Sequence, residues 1–116
     1  MKVLIVVNDA PYGTEKAYNA LRLAMTLQRE HRVQLRLFLL ADAVTCALPG
    51  QTTPNGYYNV ARMVRAIVEA GGEVKACGSC MDARGTAELE RLPGVERATM
   101  KDLAAWTVDS DRVLTF

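Results

Sequence analysis

Lys2-Val-Leu-Ile-Val-Val-Asn8 is the stretch that decides the fold. It is an unbroken run of apolar, mostly β-branched residues bounded by turn formers, the pattern of a strand covered on both faces inside a parallel sheet. The run is much shorter than the roughly 20 residues needed to cross a bilayer, and it halts at Asn8-Asp9 before a signal h-region could form. A cytoplasmic protein is therefore the expectation.

The pattern outward from this strand alternates between two periods. Asp9-Ala-Pro-Tyr-Gly13 is a loop, Thr14 stands where it can cap a helix, and Glu15 suits the first turn. Ala17, Ala20, Leu21, Ala24 and Leu27 then repeat at helical spacing. His31 falls at the end of that helix, where it interacts with the last carbonyls more readily than it serves as a ligand. Val33 to Leu40 alternates with Gln34 and Arg36 before turning wholly apolar, which reads as an edge strand.

Asp42 to Leu48 is a short helical segment, and Pro49 to Gly56 is a long loop, either a flap for partners or a passive connection. Tyr57 to Ala70 returns to helical spacing and stops at Gly71-Gly72. Glu73 to Cys77 is a strand, Thr86 to Leu92 a helix, and Val95 to Ala98 a further strand. Thr99 and Asp102 form a capping box ahead of a last helix, and Arg112 to Phe116 closes the chain as a strand.

Strands alternating with helices predict an α/β fold, a three-layer sandwich in one domain over residues 1–116. The expected version is flavodoxin-like: a five-stranded, mainly parallel sheet of order 2-1-3-4-5. There the first and third strands are neighbours and ligands bind at the crevice outside their carboxyl ends. The loop after Asn8 then faces the end of the third strand. No phosphate-binding loop rich in Ser, Thr and Gly follows the first strand, so no flavin or other cofactor is expected. With 14 basic and 13 acidic residues the chain carries no electrostatic footprint for nucleic acid or membranes.

The densest chemistry is Cys77-Gly-Ser-Cys-Met-Asp-Ala-Arg-Gly85, which holds two of the three cysteines. A cysteine at a strand end, near backbone amides and the Arg84 cation, suits a thiolate nucleophile. Gly78 allows close approach of backbone, Gly85 supplies conformational freedom, and Asp82 either orients Arg84 or starts a helix. Several readings fit. Cys77 and Cys80 have the spacing of a thioredoxin-like dithiol, but no proline follows in a suitable place. Zinc needs four protein ligands and only Cys46 or His31 is left to join the pair, so no metal is expected. Cys46, between Ala and Leu neighbours, reads as a buried small hydrophobe. Sulfur-carrying nucleophilic chemistry is a further reading, beside the others.

Over nearly its full length the chain resembles the DsrE/DsrF-like family, which includes the Tus-type sulfur-relay subunits and the YchN-like proteins. The resemblance rests on the opening strand with Asn8-Asp-Ala-Pro-Tyr-Gly13, the central loop and helix, and a strand-end cysteine ahead of Arg84-Gly85. It implies that Cys77 carries a persulfide received from a donor protein and passed to an acceptor thiol, a possible sulfurtransferase activity. Arg84 would then stabilise the sulfur, and Asn8, Asp9, Tyr12, Gly78 and Gly85 would shape the substrate site. It also implies a homo-oligomer, a trimer or hexamer. Cys80 departs from the relay pattern, where a small apolar residue is usual. A thiol there either resolves a persulfide on Cys77, as in a dithiol/disulfide reductase, or is a bystander. From another class, the alternative is a non-enzymatic oligomeric binding module whose crevice holds a small anion or metabolite and whose long loop contacts a partner.

Overall fold

The structure, a computed structural model, describes residues 1–116. The opening run forms β1, Lys2–Val7, with Val3 to Val7 all buried. It lies between two parallel neighbours: β2, Gln34–Leu39, in register from Lys2 with Gln34 to Val7 with Leu39, and β5, Arg112–Thr115, from Val3 with Arg112. β3, Glu73–Cys77, pairs with the far side of β2, and β4, Val95–Ala98, pairs with β3. All five strands are parallel, in the order β4-β3-β2-β1-β5.

The α/β sandwich with a five-stranded parallel sheet is as expected, but the order 2-1-3-4-5 needs correction. β2 is not at an edge; it separates β1 from β3. The polar residue that suggested an edge, Arg36, is only 7% exposed. Its guanidinium donates to Asp109 Oδ2 at 2.7 Å and to Ser110 Oγ at 3.2 Å, and it lies 5.6 Å from the Trp106 ring centroid. A buried, paired cation has taken the place of a solvent-facing one.

Right-handed crossovers fix the layers. The chain steps from β1 to β2 to β3 in one direction, so α1, Lys16–Glu30, and α2, Val60–Glu69, cover the same face and pack together. The return from β4 to β5 runs the other way and puts α4, Met100–Asp109, on the opposite face, where Trp106 meets Phe38 edge-on at 6.2 Å. Ala17, Ala20, Leu21 and Ala24 are the buried side of α1; the three alanines let the helix lie close to the sheet. One cluster of 30 buried residues joins both faces.

The switch point, where connections leave in opposite directions, falls between β1 and β5. It is filled by the C-terminus: the Asn8 backbone N–H and side-chain amide both donate to the Phe116 carbonyl, at 3.0 and 3.1 Å.

Local expectations mostly hold, with two shifts. α2 begins at Val60, after Tyr57 and Tyr58, because the Asn59 side chain caps it by accepting from the Arg62 N–H at 3.1 Å. The helix expected over Thr86 to Leu92 is a series of turns; the helix of this region is α3, Gly78–Ala83, which starts inside the cysteine motif. Gly85, at φ +69°, ends α3, and Thr86 N–H turns back to the Met81 carbonyl. The Thr99–Asp102 capping box is present. No helix is long and apolar enough to cross a membrane.

Candidate functional site

The site is built where β3 runs into α3. Cys77 ends the strand and caps the helix, its sulfur accepting the Cys80 N–H at 3.2 Å. One turn of helix therefore brings the two cysteines together, with Cα atoms 5.2 Å apart, and they are joined as a disulfide. Cys77 is buried, and Cys80 is half-buried. The Ser79 hydroxyl lies 3.4 Å from the Cys77 sulfur.

With β2 beside β3, the turn after β2 supplies the opposing wall. Ala41 holds a left-handed φ of +51° and aims its N–H at the Cys80 sulfur, 3.3 Å away. That conformation costs an L residue about 1–2 kcal/mol, and the 3-10 helix Ala41–Ala47 fixes it in place. Asp42, next in the chain, accepts from Arg84 at 2.8 Å, while Arg84 also donates to the Cys80 carbonyl at 3.2 Å. Arg84 thus fastens the β2 turn to α3 rather than touching a sulfur.

Asp82 does not orient Arg84. Its carboxylate accepts two bonds from Arg97 of β4, at 3.0 and 2.8 Å, and the Arg97 guanidinium holds its carboxyl below the usual carboxylate range. The Arg97 guanidinium lies across Gly78: a Cβ there would come within 2.8 Å of its Cζ. Gly78 is therefore the space that lets a second cation sit at the motif. Sequence reasoning missed both Arg97 and Ala41, since only the pairing of Cys77 with Ala98, and of β2 with β3, brings them near.

The residues expected to face the motif from β1 lie elsewhere, because β2 intervenes. Asn8 binds the C-terminal carbonyl, as above. Asp9 accepts from the Thr14 hydroxyl at 2.8 Å, a bond that shapes the loop before α1. Tyr12, at φ +73°, donates to Gln51 Oε1 at 2.6 Å and accepts from the Val60 N–H at 3.0 Å. Gln51 in turn donates to the carbonyls of Cys46 and Leu48, so the long loop is tied down rather than free to act as a flap.

Cys46 is fully buried with its sulfur 3.9 Å from the Asp9 carbonyl, and burial pushes its thiol up to about 12. His31 precedes β2 and so lies at the opposite end of the parallel sheet from Cys77. No three of His, Cys, Asp and Glu gather in a way that could hold a metal ion.

A parallel five-stranded α/β sandwich with a cysteine pair at the third strand's carboxyl end defines the class. Residues 1–116 match the DsrE/DsrF-like family, and the chain belongs to that family. It is 46% identical over 116 residues to protein YchN of Escherichia coli K12, covering 99% of this chain and 98% of that one. An uncharacterized protein of Methanocaldococcus jannaschii is 40% identical over the full length of both chains. The crystal structure of the E. coli YchN protein superposes with a TM-score of 0.95 at 44% identity, covering 100% of this chain and 99% of that one. A Bacteroides thetaiotaomicron protein of unknown function shares the fold at a TM-score of 0.69 and 15% identity, covering 99% of this chain and 94% of that one.

Proposed function

We propose that the protein is a sulfur-relay carrier in which Cys77 holds sulfane sulfur as a persulfide and Cys80 resolves it. Membership of the DsrE/DsrF-like family supports sulfur relay, and the observation that carries the finer reading is the Cys77–Cys80 pair at the end of β3. The Cys77 thiolate attacks the outer sulfur of a donor persulfide, the donor thiolate leaves, and Cys77 gains one sulfur. An acceptor thiolate then takes that sulfur and Cys77 is restored.

The bonded pair also favours a second outcome. The Cys80 thiolate can attack the inner sulfur of the Cys77 persulfide, forming the Cys77–Cys80 disulfide and releasing hydrosulfide. The outgoing sulfur is reduced, the two cysteines are oxidised, and a dithiol reductant is needed to reset them. The Ala41 N–H stabilises the charge that develops on Cys80 when the disulfide is reopened.

The protein acts in this reading in the reducing cytoplasm with donor and acceptor proteins, and as a homo-oligomer. β5 supports assembly: it is an edge strand exposed along its whole length, with Val113 and Leu114 partly exposed on its opposite faces and Met1 beside Leu114. Incubating the reduced protein with a sulfane-sulfur donor and measuring intact mass tests the reading. Cys80→Ser is expected to gain and keep the mass of sulfur, wild type to gain it transiently before the disulfide forms, and Cys77→Ser not to gain it; a gain that depends only on Cys80 would make Cys80 the nucleophile.

A further inference from the structure

All four tyrosines of the chain gather at the N-terminal ends of α1 and α2. Tyr58 is the shared member: its ring lies 4.0 Å from Tyr18, 4.5 Å from Tyr57 and 5.6 Å from Tyr12, with all three pairs stacked within about 25° of parallel. Tyr18 carries the Arg22 guanidinium at 5.1 Å from its ring centroid. Tyr57 ends the column and is 53% exposed.

Tyr18, Tyr57 and Tyr58 edge a groove of about 500 Å³ between α1 and α2, into which Arg22, Arg29 and Arg62 also project. No acidic residue lines it. Arg29 is bridged to Glu30 at 2.8 Å, but Arg22 reaches only the Asn19 amide oxygen at 3.1 Å, and Arg62 pairs with no carboxylate. On a chain whose net charge is only +1, Arg22 and Arg62 without a carboxylate partner in one groove are a local concentration of positive charge.

Guanidinium groups match phosphate oxygens with paired hydrogen bonds, and a half-exposed aromatic ring offers a stacking surface to a planar base. The volume suits a ligand the size of one nucleotide. We propose that this groove binds a nucleoside phosphate, with the base on Tyr57 and the phosphate held by Arg22 and Arg62. The groove shares no lining residue with the cysteine motif, and the proposal does not depend on the sulfur-relay reading.

The test is calorimetric titration of the full chain with AMP, adenosine and inorganic phosphate, alongside amide NMR shifts. AMP is expected to bind saturably in the sub-millimolar range, and adenosine and phosphate each at least ~10-fold more weakly, because each keeps half of the contacts. Arg22→Gln and Arg62→Gln are each expected to weaken AMP at least ~10-fold with unchanged melting temperature, and Cys77→Ser to leave it unaltered. Shifts should fall on α1, α2 and Tyr57. The proposal is overturned if AMP shows no saturable binding at millimolar concentration, or if both arginine variants bind as wild type does. It is also overturned if a short single-stranded oligonucleotide binds far more tightly than AMP, which would make the groove a nucleic-acid face.

Discussion

β2 and β5 flank the same strand, yet one is sealed and the other bare. β2 alternates Gln34 and Arg36 with apolar residues, but it is buried from Leu35 to Leu39. β5, with Val113 and Leu114 at its centre, is exposed throughout. The difference shows that polarity along a strand reports what its side chains are paired with, not where the strand lies. Arg36 is accommodated by Asp109 and Trp106, whereas Val113 and Leu114 have no neighbouring strand on their outer side. The placement of β2 also decides which loop meets the cysteines.

The largest expected effect comes from cutting into β2. Leu37→Ala removes a fully buried side chain and should cost about 2–5 kcal/mol in urea unfolding, while Leu114→Ala, 38% exposed, should cost less than ~1 kcal/mol in the monomer. Equal losses would mean that β5 is covered as thoroughly as β2.

A smaller effect separates the loops after β1 and β2. Asp42→Asn loosens Arg84 from the turn that carries Ala41, and should change the rate at which a thiol reagent opens the disulfide by about two- to fivefold, the kinetic equivalent of a partly exposed ion pair. Asp9→Asn, on the loop that does not reach the motif, should leave that rate unchanged. The opposite ranking would return the β1 loop to the site.

The smallest effect concerns Cys46. Since burial disfavours its thiolate and raises its pKa to about 12, the thiolate is scarce at any pH well below that value. After reduction, iodoacetamide at pH 8 should label Cys77 and Cys80 in the folded protein and leave Cys46 untouched. Labelling of Cys46 at a comparable rate would show that its pocket opens.

Much of this was legible in the chain. Val3 to Val7 announced a central parallel strand, Thr99 with Asp102 announced the start of α4, and Cys77 stood out at a strand end. Strand order was not legible, because a single sequence carries the period of each strand but not its neighbour, and Arg36 disguised a central strand as an edge. From that one misplacement came the wrong opposing wall, with Asn8, Asp9 and Tyr12 in place of Ala41 and Asp42. Ala41's left-handed backbone has no signal in an alanine. Arg97 needed the β3–β4 pairing to bring it over Gly78.

The measurement that tests the central claim most directly follows a persulfide once it has formed. Reduced wild type and Cys80→Ser are loaded with sulfane sulfur, freed of donor, and sampled over time for protein mass and released sulfide. Wild type should lose the added sulfur as sulfide while the Cys77–Cys80 disulfide appears, and Cys80→Ser should keep its sulfur until an acceptor thiol is added. If both proteins hold the sulfur equally long and no disulfide forms in wild type, Cys80 does not resolve Cys77 and the account of the pair is wrong.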